Sequence, residues 1–217
     1  KATVKAAIQS VGKNWLLLTN DYVWGHTTSN ATKGLVEANG GKIMDNLLVP
    51  QNTRDFTSYL LKIQQAKPDV VATAIGGDDL KALRTQVAQL KLDGKPAWIN
   101  NQQDWPDIWG APESLFGVFG TTWYHKLPLP GVAEFVKKWQ TAYKDGPIPV
   151  PGNVSYNGYM ATRELLRAIE RAGTTNNVAV IKQLESLKVS AADRMQHYDA
   201  YMDPVTHQMQ QTIYLAR

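Results

Sequence analysis

The sequence predicts an α/β fold in which a parallel sheet carries helices on both of its faces. Three observations lead to this prediction. Short apolar runs of strand length recur along the first half of the chain, stretches with helical spacing separate them, and glycine, proline or polar residues stand at the junctions. Strands that alternate with helices in this way pair in parallel, because each helix returns the chain to the same end of the sheet.

The first half of the chain supplies the strands and helices of this sheet in strict alternation. Leu16, Leu17 and Leu18 form the first apolar run, which suits a strand that is covered on both faces. The helical spacing of Ala31, Leu35 and Ala38 follows, and glycines end that helix. The strands are predicted at residues 16–19, 42–49, 70–75 and 97–99, and the helices at 27–38, 55–66 and 80–90.

The second half of the chain changes character. One more strand is predicted at residues 116–123, and three helical stretches follow without a strand between them, at 132–143, 154–172 and 178–187. Residues 196–201 and 211–215 are predicted to form a hairpin around the turn Asp203-Pro204. Amphipathic helices need an apolar surface to pack against, and these residues alone do not show which sheet would receive the three helices.

The composition excludes several classes of function. The chain of 217 residues has no cysteine, so disulfides, thiolate zinc sites and cysteine nucleophiles are excluded. The net charge is a mild +4 and the basic residues are scattered, so no nucleic-acid partner is expected. No apolar segment approaches the roughly 20 residues that cross a bilayer, so we expect no membrane insertion. Any export signal is expected to have been removed or to lie outside these residues.

The sequence contains no constellation of residues typical of catalysis. His26, His125, His197 and His207 lie far apart and lack metal-ligand spacing, so neither a metal nor a cofactor is expected. The turn NDYVWGH has one glycine where a dinucleotide fingerprint has three, and it lacks both the P-loop and the nucleophile-elbow patterns. The chain is therefore not expected to be an enzyme.

The first candidate ligand-binding turn is this same NDYVWGH, where the first strand hands over to a helix. Asp21, Tyr22 and Trp24 lie there, outside the carboxyl end of a parallel strand, where open α/β folds place their ligands. Asp21 or Thr27 also suits a residue that merely starts the helix. Trp24 is harder to explain structurally, because a loop at a strand end normally faces water.

Two further strand ends add candidates at the same edge. Gly76, Gly77 and Asp78 follow the third strand, where glycine lets the backbone approach a ligand closely and a helix start offers free N–H groups. An ordinary glycine turn, with Asp78-Asp79 capping the helix, is the alternative. Asn101 and Gln102 follow the fourth strand and offer amide groups to a neutral or carboxylate ligand, although a solvated polar loop explains them equally well.

Longer stretches resemble a known family. The segments KNWLLLTNDYVWGH, GLVEANGGKI, NTRDFTSYLLKIQQAKPDVVATAIGGDDLKALRTQ and YNGYMATRELLRAIERAGT are similar, in order and spacing, to the type I periplasmic binding proteins of the branched-chain amino acid transporter group. These proteins are the soluble receptors of ABC importers. The resemblance extends over nearly the whole chain.

The resemblance implies a receptor of two α/β lobes that holds its ligand in the cleft between them. Residues 13–125 and 190–217 would form the second, carboxyl-terminal lobe, and residues 1–12 and 126–189 would belong to the first lobe, whose leading half is absent. That absence would explain why the three later helices have no sheet of their own. A membrane permease would be the protein partner, and the receptor is expected to be monomeric and periplasmic or otherwise extracytoplasmic.

The resemblance also bears on the ligand. It places Trp24 against the ligand and the turn of Gly76, Gly77 and Asp78 at the cleft edge. Amino-acid-binding members carry an acidic residue after the fourth strand, where this chain has Asn101-Gln102-Gln103. An amide cannot neutralise a buried ammonium, so a small carboxylate or amide with an apolar or aromatic body is favoured, unless Asp78 or Asp104 substitutes.

Two other functions remain open at this point. A sensor or regulatory protein of the same fold would bind an amide or amino acid and pass the closure of its lobes to a partner. An α/β enzyme of flavodoxin-like architecture would need a phosphate loop or a nucleophile with its base, and the sequence shows neither.

Overall fold

The structure, a computed structural model, describes residues 2–101, 104, 109 and 117–216 of the chain. The helices are α1 (Ala2–Ser10), α2 (Val23–Ala38), α3 (Thr57–Ala66), α4 (Gly77–Gln89), α5 (Val132–Ala142), α6 (Asn153–Ala172), α7 (Asn177–Glu185) and α8 (Ala191–Arg194). The strands are β1 (Asn14–Asn20), β2 (Lys42–Val49), β3 (Val70–Ala74), β4 (Ala97–Asn100), β5 (Val118–Thr121), β6 (Lys188–Val189), β7 (Ala200–Met202), β8 (Met209–Gln210) and β9 (Tyr214–Ala216).

The chain forms two compact units, one of residues 1–120 with 215–217 and one of residues 121–214. This division describes the present chain, in which α1 packs with the first unit. The expected division into lobes refers to a complete receptor and stays a prediction.

The first unit is built on the predicted parallel sheet. Its six strands have the order β2-β1-β3-β4-β5-β9, and the pairs β1–β2, β1–β3, β3–β4 and β4–β5 are parallel. The α/β fold class is thereby confirmed. Strand β1 is buried from Trp15 to Asn20 and β3 over its whole length, as strands covered on both faces must be.

Successive side chains of β1 enter the two apolar layers that cover the sheet. Leu16 and Leu18 pack on one face with residues of α3 and α4, among them Leu60 and Leu83. Trp15 and Leu17 pack on the other face with residues of α1 and α2. The alternation follows from the two-residue period of a strand, and it produces a three-layer sandwich.

The second unit contains the three later helices, and their predicted positions are confirmed to within a few residues. Its core joins α5 and α6 through Phe135, Tyr156 and Met160, and Trp123 stacks on Tyr156 with ring centroids 5.0 Å apart. A small antiparallel sheet of order β6-β7-β8 completes this unit.

The predicted terminal hairpin is corrected by the structure. Its antiparallel pair is shorter and lies elsewhere, with Tyr201 opposite Gln210 and Met202 opposite Met209. The arm expected at residues 211–215 is not formed as such, and residues 214–216 join the six-stranded sheet beside β5 as β9. The alternation of apolar and polar residues identified strands here but carried no information about their partners.

Candidate functional site

The candidate site lies at the carboxyl ends of β1 and β3. In the sheet, β2 lies on one side of β1, and β3, β4 and β5 lie on the other side. The direction in which the chain adds strands therefore reverses between β1 and β3. Ligands of open α/β folds bind in the crevice outside such a reversal. An open cavity of about 290 Å³ lies here, lined by Asn20, Tyr22, Gln51, Asn52, Gly76, Gly77, Asp78 and Asp79. We call this surface the carboxyl edge.

Tyr22 and Trp24 form an aromatic pair at the carboxyl edge. Tyr22 is the residue that precedes α2, and Trp24 lies in its first turn. Their ring centroids are 5.9 Å apart with an interplanar angle of 30°, and both side chains are half-buried. The sequence interpretation placed Trp24 in a loop, but α2 begins at Val23, four residues before the predicted start. Trp24 is therefore held by a helix and still reaches solvent.

Gly25 explains how this helix comes so close to the end of β1. A Cβ atom at position 25 would lie 2.0 Å from the carbonyl oxygen of Asn20, so only glycine allows this approach. The glycine that was noted in the turn therefore serves the packing of α2 on β1 rather than the binding of phosphate.

Asp21 is turned toward its own helix rather than into the cavity. Its Oδ1 lies 2.8 Å from Nε2 of His26, and both side chains are about half exposed. Its backbone N–H donates to the carbonyl of Val49 at 2.7 Å, which fixes the turn to the end of β2. The structure thus gives Asp21 a local role beside the aromatic pair.

The second turn lines this cavity, and its contact with a ligand stays a prediction. Gly76 precedes α4, and Gly77 has a φ of +59°, which side chains with a Cβ rarely adopt. Asp78 is exposed, and its Oδ2 lies 3.4 Å from Nη2 of Arg54. The N-cap of α4 is Gly76, and both aspartates lie in the first turn of the helix, so neither occupies the N-cap position itself.

Three residues that the sequence interpretation did not assign to the site hold this edge together. The Oδ2 of Asp79 accepts from the Nδ2 of Asn20 at 3.2 Å and from the backbone N–H of Asn52 at 3.0 Å. The Oδ1 of Asn20 in turn accepts from the backbone N–H of Gly76 at 3.1 Å. The one sequence signal was that Asn20 ends an apolar strand, where a buried amide needs polar partners.

The fourth strand end contributes differently from what was expected. The Nδ2 of Asn101 donates to Oγ1 of Thr32 in α2 at 3.3 Å, and its backbone N–H donates to the carbonyl of Thr73 at 3.1 Å. The amide of Asn101 therefore joins β4 to α2. Gln102 lies outside the described residues, and its predicted contact stays a prediction.

The geometry separates the predicted site residues into two groups. Tyr22, Gly76, Gly77 and Asp78 line one cavity, and Trp24 stacks on Tyr22 beside it. Asp21 and Asn101 direct their polar groups to neighbouring elements instead. The result is a surface with a flat aromatic pair, backbone N–H groups at a helix start and amide groups, which suits the noncovalent binding of a small molecule.

Within the described ranges, no cluster of three or more histidine, aspartate or glutamate side chains is arranged to hold a metal ion. In the same part of the chain, none of the helices combines the length and the apolar character that crossing a bilayer requires.

The chain is similar in fold to receptors of ABC transporters. A solute-binding protein from Rhodopseudomonas palustris BisB5, in complex with 3,4-dihydroxybenzoic acid, has 22% identity and a TM-score of 0.83. One from Rhodopseudomonas palustris HaA2, in complex with p-hydroxybenzoic acid, has 20% identity and a TM-score of 0.85. A branched-chain amino acid ABC transporter periplasmic ligand-binding protein from Burkholderia xenovorans LB400 has 21% identity and a TM-score of 0.77.

The alignments cover 100%, 99% and 100% of this chain but 59%, 58% and 57% of the respective receptors. The chain thus spans a little more than half the length of these proteins. None of the curated protein sequences matches it significantly. The family described as "Periplasmic binding protein" matches residues 1–217. The chain therefore belongs to the periplasmic binding proteins, as a type I member of the group that includes the branched-chain amino acid receptors.

Proposed function

We propose that this chain is the carboxyl-terminal portion of an extracytoplasmic receptor that delivers a small organic ligand to the permease of an ABC importer. The family match and the fold support the receptor role, and the similar structures are solute-binding proteins of such transporters. The receptor captures its ligand noncovalently and does not transform it.

The aromatic pair of Tyr22 and Trp24 is the observation that carries this proposal. Two half-buried rings beside an open cavity at the sheet reversal leave a flat apolar surface in contact with solvent. A ligand with a planar or apolar body gains contact area from such a surface.

The polar groups of the carboxyl edge favour a ligand without an ammonium group. The carboxylates of Asp21 and Asp78 lie beside His26 and Arg54, and the end of β4, where amino-acid-binding members carry an acidic residue, is followed by Asn101. A buried ammonium would need an anionic partner to offset its desolvation. We therefore favour an aromatic or aliphatic carboxylate or amide, and the benzoic acids bound by the two Rhodopseudomonas palustris receptors are of this class.

Capture would proceed by closure of two lobes around the ligand. The ligand first docks on one lobe, and closure then adds the contacts of the other lobe and expels water from the cleft. In this scheme Trp24 and Tyr22 contribute the stacking surface, and the N–H groups at the start of α4 orient a polar end of the ligand.

The substitution Trp24→Ala in the complete receptor tests the proposal. We expect binding to weaken by about tenfold or more, equivalent to about 1.4 kcal/mol, because the stacking surface is lost. Titration calorimetry with 4-hydroxybenzoate, benzamide and leucine measures the dissociation constants. Val23→Ala is the matched control, since Val23 is the exposed neighbour in the same helical turn and should leave binding unchanged. An unchanged constant for Trp24→Ala would show that the carboxyl edge is not the binding surface.

A further inference from the structure

The carboxylate of Asp79 connects parts of the chain that are distant in sequence. It lies in the first turn of α4, and the residue is only 7% exposed. Its Oδ2 accepts one hydrogen bond from the Asn52 backbone, in the turn after β2, and one from the side chain of Asn20, at the end of β1. A carboxylate is normally excluded from such a position unless hydrogen bonds compensate for its desolvation.

Asn20 extends this connection to the glycine turn. The residue is 2% exposed, and its Oδ1 accepts the backbone N–H of Gly76. Asn52, Asp79, Asn20 and Gly76 therefore form one continuous chain of hydrogen bonds, and all four line the cavity of the carboxyl edge. The turns after three neighbouring strands are fixed to one another through two side chains.

Helix stabilisation alone does not explain this arrangement. A carboxylate in a first helical turn is favoured by the helix dipole, and an exposed one serves as well. The bonds of Asp79 instead reach two other turns. Within the described part of the chain the carboxylate makes no ion pair. Its acceptor capacity is directed at the backbone and side chain that shape the cavity.

We propose that Asp79 and Asn20 are positioning residues, which hold the turns at Asn52 and at Gly76-Gly77 in the conformation that binds ligand. This inference rests on the proposed function of the carboxyl edge. The turn at Asn52 needs such support because residues with a Cβ rarely adopt its φ of +66°. The turn at Gly77 needs it because glycine, here at a φ of +59°, has the widest choice of other backbone conformations. Without the hydrogen bonds these segments populate other conformations. The apparent affinity for the ligand then falls in proportion to the fraction of molecules that keep the binding conformation.

The test compares two carboxylates at opposite ends of the same sheet. Asp69, in the turn before β3, likewise accepts two hydrogen bonds through its Oδ2, here both from backbone N–H groups, of Lys13 at 3.1 Å and of Asn14 at 2.8 Å. The variants Asp79→Ala and Asp69→Ala in the complete receptor therefore lose the same kind of interaction, one at the binding edge and one far from it. Both are expected to lower the melting temperature.

Only Asp79→Ala is expected to weaken ligand binding, by about tenfold. This is the loss expected if about one tenth of the variant molecules keep the turns in the conformation that binds ligand. The probe is 4-hydroxybenzoate, or leucine if 4-hydroxybenzoate does not bind the unaltered receptor. Asp79→Asn should restore affinity to within about twofold, because an amide oxygen can still accept both hydrogen bonds. A contribution of the negative charge itself to binding would make the Asp79→Asn variant as weak as the Asp79→Ala variant, and that result would overturn the positioning role.

Hydrogen exchange provides a readout that does not depend on the ligand. Backbone amides at residues 50–53 and 75–78 should exchange faster in the Asp79→Ala variant than in the Asp69→Ala variant. Equal exchange at these amides, or equal affinity of Asp79→Ala and the unaltered receptor, overturns the inference alone. Binding of leucine but not of 4-hydroxybenzoate overturns the proposed ligand class and leaves the role of Asp79 testable with leucine. Failure of the unaltered receptor to bind either probe overturns both.

Discussion

Among single residues, Gly25 determines whether the aromatic pair can reach the end of β1. The helix that carries Trp24 contacts the strand through the space that a side chain at position 25 would occupy. Gly25→Ala should destabilise the receptor by about 2 kcal/mol or more, since a Cβ 2.0 Å from the Asn20 carbonyl forces the helix away from the strand. Denaturant unfolding monitored by circular dichroism measures this loss, and binding should weaken with it.

Gly34 provides the matched control on the same helix. A Cβ at this position meets no atom within 4 Å, and its backbone lies outside the left-handed region. Gly34→Ala should therefore leave the protein as stable or more stable, by up to about 1 kcal/mol, because alanine is the better helix former. If the two variants behave alike, the close contact between α2 and β1 does not restrict position 25.

The residues of the carboxyl edge differ in how far the sequence could predict them. Trp24 could be selected because an aromatic residue at a strand end lacks an ordinary structural explanation. Asp79 could not, since its partner Asn20 is 59 positions away and only the fold brings the two together. A short-range pattern favours a helix cap at Asp78-Asp79, and the tertiary hydrogen bonds override it.

At the level of elements, an ion-pair network connects α6 to α8. Oε1 of Glu164, a buried residue, lies 2.8 Å from Nη2 of Arg163 and 3.2 Å from Nη1 of Arg167. Nη1 of Arg167 also lies 2.9 Å from Oδ2 of Asp193, and Arg163 donates to the backbone carbonyl of Asp193 at 3.0 Å. The two arginines thus bridge the helices, and Glu164 fixes their positions.

Glu164→Gln should destabilise the protein by about 2 kcal/mol, because it leaves a partly buried arginine without its nearest anion. The size is below that of a fully buried pair, since Arg167 reaches solvent. Glu134→Gln on α5 is the control, because it removes an exposed pair with Lys138 and should leave stability unchanged within the error of measurement. Thermal unfolding compares the two, and equal effects would show that the network does not join the helices.

The elements themselves were predictable where the pattern and the packing agree. The strands of the parallel sheet and the three later helices follow from apolar runs and helical spacing, and the structure contains them. The start of α2 was missed because Val23-Trp24-Gly25 has no helix-start residue of the usual kind. Contact with the end of β1 stabilises that first turn instead.

On the scale of the whole molecule, helix α6 is apolar on two opposite sides. One side is buried within the second unit and carries Tyr156, Met160 and Ala168. The other side carries Tyr159, Leu165 and Leu166, which are exposed. A helix with this distribution is normally covered on both sides. In the similar receptors this chain corresponds to 57–59% of the length, so we propose that a complete receptor covers the second side.

Leu166→Asp tests this interpretation in the complete receptor. Leu166 is 61% exposed in the present chain. If it were equally exposed in the complete receptor, an aspartate at this position should be tolerated. If the remaining part of the receptor covers this side of α6, the substitution places a charge in an apolar contact and should cost about 2 kcal/mol or more. Val205→Asp is the control, since Val205 is 89% exposed in a turn and should leave the unfolding midpoint unchanged. Two equally mild variants in denaturant unfolding would mean that the exposed side of α6 faces solvent in the complete receptor too.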